Sequence, residues 1–160
     1  MHLLKLPRLA TLAAVSLTAL SLAPAVASAG VCPAGKSGID VRQPDNRPAK
    51  GVVDTVIASI DVAKEPAHID GRLFRMRRLT IQPGGVVPWH SHGERPAIIY
   101  VVKGTVTEYA STCSVPLTHK TGDAVPELHS TSHWWKNTGK TVAVLLSADL
   151  LPVAADPHMM

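Results

Sequence analysis

The sequence predicts a single all-β domain, built as a sandwich or a barrel. Three observations carry that prediction. From Gly51 onward the chain consists of short β-branched or aromatic runs, closely punctuated by Gly, Pro, Asn or Asp. No long stretch after residue 50 has a strong helical period. And once an N-terminal leader is set aside, about 131 residues remain, enough for one domain with a real core. There is no internal repeat, low-complexity segment or second domain.

The leader is residues 1–29. Met1 to Arg8 carries Lys5 and Arg8 and no acid, an apolar Ala/Leu-rich run follows to Val26, and Ala27-Ser28-Ala29 closes it. A charged start, an apolar middle and a small-x-small end make a secretory signal peptide, so the mature chain is expected to be periplasmic or secreted. Pro24 and the small-residue site argue against a retained membrane anchor, and Val31 before Cys32 argues against a lipoprotein. Without the leader, 14 Lys and Arg face 12 acids. The residual charge of +2 gives no reason to expect nucleic acid as a partner. Arg72, Arg75, Arg77 and Arg78 form a local basic cluster that reads mostly as a solvated strand face.

Residues 30–50, rich in Pro, Gly and charge, read as an extended arm. Cys32 and Cys113 are an even pair in a chain expected to be exported, so a disulfide is expected between the arm and the segment around Cys113. Residues 51–150 hold the strands: 52–62, 73–81, 86–92, 97–103, 105–109, 117–120, 133–136 and 142–147. Residues 151–160 read as a strand end and a loose tail, in which His158, Met159 and Met160 have no motif around them.

Within this pattern His90 and His92 stand out. Side chains alternate along a strand, so the two imidazoles share a face with Cβ atoms about 6–7 Å apart. That separation suits convergence on one ion, although two polar residues on a solvent face give the same pattern. The context is more specific. Gly84 lies six residues before His90 and Gly104 twelve after His92, and Gly122, His133 and Asn137 follow in "GDAVPELHSTSHWWKN". These two segments resemble the paired motifs of the cupin family, over roughly residues 70–148. The resemblance implies a double-stranded β-helix, or jelly-roll barrel, with His90, His92 and His133 as ligands of a divalent metal ion. It also implies a small-molecule ligand and suggests a homodimer formed through the apolar edge at Val52–Ile60 or the outward Trp134.

The chain departs from the family pattern. Leu128 and Ser130 replace the proline and second glycine of the second motif, which alters a turn. Ala97 stands where the family carries its glutamate ligand. Glu94 and His129 are candidates for an additional ligand. Glu94 has the parity of the two histidines, but Gly93 and Pro96 suggest a turn that faces it to solvent. His68 and His119 have no motif context. By parity Trp135 shares the inward face with His133 and Asn137, and with Tyr100 it is expected to line the pocket, while Trp134 faces out. An inward arginine from the 75–78 segment would clamp a carboxylate.

Three neutral imidazoles would leave a divalent ion its full charge and favour an anionic ligand. Fe, Zn, Cu, Mn and Ni all accept such ligands. The expected function is a metal-dependent protein acting on an anionic or enolisable small molecule, of dioxygenase type. The alternative is a non-catalytic cupin that binds a metal or small ligand in the periplasm. Catalytic residues are not identifiable from the sequence.

Overall fold

The computed structural model describes residues 31–38 and 44–154. The leader, part of the arm and residues 155–160, with His158, lie outside them. Eight strands follow one another: β1 (Lys50–Asp61), β2 (Arg72–Ser91), β3 (Ala97–Lys103), β4 (Thr105–Ala110), β5 (Leu117–Lys120), β6 (Ala124–Glu127), β7 (Ser132–Lys136) and β8 (Ala143–Pro152). A 3-10 turn, Val62–Lys64, follows β1 and is capped by the Asp61 side chain, which accepts from the amide of Ala63.

All pairings are antiparallel, and the sheet runs β5-β4-β7-β2-β8-β3-β6 with β1 added on β2. It curls because β2 belongs to two faces. Its first half, Arg72 to Ile81, pairs with β8 and β1, and its second half, Val86 to Ser91, pairs with β7. The sequence reads two strands here because Pro83-Gly84-Gly85 looks like a break. The backbone instead bends through it: Gly84 sits at φ 74°, and a Cβ on Gly85 would stand 2.8 Å from the Gln82 carbonyl and 2.9 Å from that of Gly51. One long strand thus passes from one face of the barrel to the other.

The inward side chains of both faces form one core of Leu79, Ile81, Val87, Ile99, Val101, Val106, Val125, Trp135, Ala143 and Leu145. Each fully buried aliphatic side chain contributes about 1.5–3 kcal/mol. Gly104 closes the β3–β4 turn at φ 88°, where a Cβ would press to 3.0 Å on the backbone of Ala143. Any side chain there would push β8 away from the core. Alternation also corrects the reading of the arginines. In the first half of β2 the odd positions face in, so Arg75 and Arg77 are buried while Arg78 is exposed.

Cys32 is bonded to Cys113, whose side chain is fully buried against Ala110 and Leu117. Ser37 bridges to Cys113, and the amides of Gly38 and Ser114 donate to Thr112 and Lys36 carbonyls. The arm is therefore fastened to the end of β4.

Candidate metal centre

His90 near the end of β2 faces His133 of β7 across the antiparallel pair, and His92 lies just beyond β2, its amide donating to the Thr131 carbonyl. The three Nε2 atoms form a nearly equilateral triangle: 3.1 Å from His90 to His92, 3.0 Å from His92 to His133 and 3.1 Å from His133 to His90. The opposite ring nitrogens fix this arrangement. Nδ1–H of His90 donates to the Pro88 carbonyl at 2.9 Å and that of His92 to the Arg95 carbonyl at 2.9 Å. That of His133 donates to Oε1 of Glu108 at 2.6 Å. With each Nδ1 carrying the proton, all three Nε2 lone pairs point at one spot. Burial, reinforced by the charge of neighbouring His133, holds the His90 pKa well below its ordinary value and brings His92 to about 4. The His90 and His92 rings are therefore neutral at neutral pH, the state a metal ion requires.

Three converging lone pairs about 3 Å apart repel one another, and a cation among them relieves this. For metal–nitrogen bonds of ~2.1 Å, nitrogens at a right angle lie ~3.0 Å apart and those at the tetrahedral angle ~3.4 Å apart. The triangle is that of one face of an octahedron. The donor set therefore fits a divalent ion with open positions on the far side.

Behind His133 lies a buried acidic wall that sequence reading passed over. Glu108 accepts from His133 and, through Oε2, from Nε2 of His119 at 2.9 Å, and His119 stacks on Trp135. Oε2 of Glu127 is 3.4 Å from His133 Nδ1. Burial opposes ionisation of both carboxyls. At Glu108 the hydrogen bonds from His119 and His133 outweigh it and hold the group ionised. At Glu127 burial and the Glu108 charge both act against ionisation, so Glu127 keeps its proton. Parity was the available signal: Glu108 alternates with the buried Val106 and Ala110, and Glu127 with Val125.

Ala97, at the position of the family glutamate, is buried between Glu127 of β6 and Asp149 of β8, its partners across the two adjoining ladders. The chain thus places a carboxyl on the neighbouring strand, behind His133.

The other candidates fall away from the triangle. Glu94 is exposed, and its carboxylate lies 3.5 Å from Arg72. His129 is exposed on the β6–β7 loop. Trp135 is buried and lines the cavity above the triangle, with its indole Nε1 3.3 Å from His133 Nε2. Asn137 is fully buried but occupied elsewhere: its amide donates to the Ile81 and Thr141 carbonyls and its oxygen accepts from the Gly139 amide. Tyr100 is 45% exposed on the outer face of β3, with Ile98 and Val102, because Ala97, Ile99 and Val101 take the inward positions. Trp134 stacks on Tyr109 outside the barrel core.

A small cavity of about 20 Å³ opens on the triangle, lined by Arg77, Arg95, Ser147, Trp135 and the three histidines among others. Its basic wall is anchored by Asp149. That carboxylate accepts from Nε and Nη2 of Arg75 at 2.9 and 2.8 Å and from Nη1 of Arg95 at 2.8 Å. Arg77 pairs with Asp54 at 3.3 Å.

A curled antiparallel barrel with three inward imidazoles on facing strands is the architecture of the cupins. Residues 77–149 match the family model described as the cupin domain, and the barrel of this chain is a cupin domain. The auxin-binding protein ABP19b of Prunus persica is 32% identical over 79 residues, 48% of this chain. The match spans 38% of that protein's length. Among solved structures, a Thermotoga maritima protein described as a predicted oxalate decarboxylase superposes with a TM-score of 0.52 at 23% identity, covering 71% of this chain and 93% of its own. The cupin domain of Schizosaccharomyces pombe Cnp3 superposes with a TM-score of 0.50 at 12% identity, covering 62% and 64%.

Proposed function

We propose that this chain is an exported, metal-dependent cupin that acts on a small anionic molecule. One observation carries the reading: three imidazoles bring their Nε2 atoms together at about 3 Å spacing, each held by an oxygen on its other nitrogen. When bound, a divalent ion would supply an electrophilic anchor for an anionic oxygen. The protein's own residues do the rest. Pro88 and Arg95 carbonyls and Glu108 hold the rings, Trp135 walls the cavity, and Arg77 and Arg95 bring positive charge to its rim. The disulfide agrees with an oxidising compartment, as the leader suggests.

The test is elemental analysis of the protein purified from the periplasm without a metal-affinity tag, beside the His90→Ala, His92→Ala and His133→Ala variants. About one equivalent of a transition metal, lost in each variant that still folds, supports the reading. A folded wild-type protein that takes up no metal from Mn, Fe, Co, Ni, Cu or Zn salts refutes it.

A further inference from the structure

Away from the histidines, the sheet turns an outer surface to solvent across β1, β2, β8, β3 and β6, and the pairing register lines up its side chains. Ala58, Met76, Ala148, Ile98 and Pro126 stand abreast in one row across all five strands. The row toward the end of β8 holds Ile60, Phe74 and Leu150, and the row on the other side holds Leu146, Tyr100 and Ala124. The alternate positions Arg75, Ile99, Ser147 and Asp149 are buried, so these side chains point out. Ile98 is 57% exposed and Phe74 41%. No acid stands in these rows. Their polar neighbours gather at one end, with Thr55 and Arg78 on the Leu146 row and Thr80 and Lys103 beyond it. With strands about 4.8 Å apart and same-face residues about 6.7 Å apart along each, the apolar area is on the order of 500 Å². A soluble chain rarely leaves so much contiguous apolar surface in water without a use for it.

We propose that the outer β1-β2-β8-β3-β6 face, centred on Ile98, Ala148 and Met76, packs against the same face of a second copy of this chain. Area is the first argument. A standard interface takes about 800 Å² from each partner, an apolar centre with a polar rim, and this face with its Thr and basic margin has that size and layout. Composition is the second. The face has no acid to offer a basic partner, and an open sheet surface offers no cleft to a peptide or small ligand. A second copy brings an equal apolar area of matching pleat, and two such sheets pack face to face about 10 Å apart. Because Arg78 and Lys103 lie at one end, the copies pack with those ends turned away from each other. The described part of the arm leaves the face open, since its contacts are to Cys113 and Ser114 beyond β4 and to Trp89 at the far end of β2. The face takes in Ala58 and Ile60 of the apolar edge read from the sequence. It does not include Trp134, whose ring is stacked on Tyr109. The proposal is independent of the metal centre.

Sedimentation equilibrium of the purified protein tests this, beside Ile98→Lys. The wild-type protein is expected to be dimeric at about 10 µM, in the affinity range of a standard interface. Ile98→Lys sets an unpaired charge in the centre of the face twice over, once from each copy, and should raise the dimer dissociation constant at least about thirty-fold. Its melting temperature measured in dilute, monomeric solution should match that of the wild type, because the position is exposed on the single chain. If Ile98→Lys fails to fold, hydroxyl-radical labelling of the wild-type protein decides. Phe74, Met76 and Tyr100 should be labelled less at high than at low protein concentration, and Trp134 equally at both. A wild-type protein still monomeric at about 100 µM overturns the proposal, since that is weaker than a specific interface of this area. A folded Ile98→Lys variant that dimerises as well as the wild type also overturns it. So does concentration-dependent protection at Trp134 in place of Phe74, Met76 and Tyr100, which would put the contact on the opposite side of the barrel.

Discussion

His133 donates Nδ1–H to Glu108 at 2.6 Å while its Nε2 completes the triangle, so a single imidazole joins the metal position to a buried carboxylate. Such a partner fixes ring tautomer and raises ligand basicity. Glu108→Gln keeps the shape but can no longer take both histidine donors as an anion. Metal affinity should fall about 10- to 100-fold, measured by competition with a chelator. Unchanged affinity in a folded variant would show that Glu108 serves packing alone.

Ala97 sits between Glu127 and Asp149 on the adjoining strands. Ala97→Glu would add a third carboxyl to a wall that already keeps one protonated. Added volume in a packed core costs about 1–3 kcal/mol, and the extra acid adds to it, so the melting temperature should drop. Glu127→Gln combined with it should recover part of the loss, as a double-mutant cycle would record. Additive losses in that cycle would mean the two positions do not meet.

Asp149 is fully buried between two arginines. Burial raises its pKa, but hydrogen bonds from Arg75 and Arg95 outweigh that and leave it lowered in the fold. Because the folded value is the lower one, the unfolded chain takes up the proton first. The stabilisation is complete above the ordinary carboxylate value near 3.8 and fades as pH falls through the lowered folded value. Asp149→Asn should cost about 3–5 kcal/mol at pH 7, since it strands buried guanidinium charge, and should flatten the acid limb of the stability curve. Denaturant melts from pH 7 to pH 2 give both readings. An unchanged acid limb would place the acid sensitivity elsewhere.

The disulfide ties the arm to the end of β4. Reduction of Cys32–Cys113, or Cys32→Ala, frees it from the strand that carries Glu108. The chain-entropy estimate for a loop this long is about 4 kcal/mol, so thermal melts with and without reductant should differ clearly. Metal bound by the still-folded reduced protein should stay within a few-fold of wild type, because Glu108 remains paired with His119 and His133.

What could be read in the residues beforehand was what periodicity writes locally. The His90-x-His92 spacing fixes a shared face, and the motif glycines occupy backbone conformations with φ of 74°, 88° and 94° that other residues resist. What escaped was the content of faces whose alternation was not followed to the end. Tyr100 shares the parity of the exposed Ile98, and Ser147 and Asp149 share that of the buried Leu145. β6 is four residues containing a proline, too short to register as a strand until β3 pairs with it. The bend in β2 is a tertiary choice, made by a strand that changes partners.

The Cys32–Cys113 bond spans 81 positions of sequence and turns that stretch into a covalent ring. His90, His92, Arg95 and Glu108 lie on the ring, whereas His133 and Ser147 lie on the linear remainder. A protease cut at the exposed Gly93-Glu94 turn therefore opens the ring without dividing the molecule. A chain nicked there keeps both parts of its site on one covalent thread for as long as the disulfide stands.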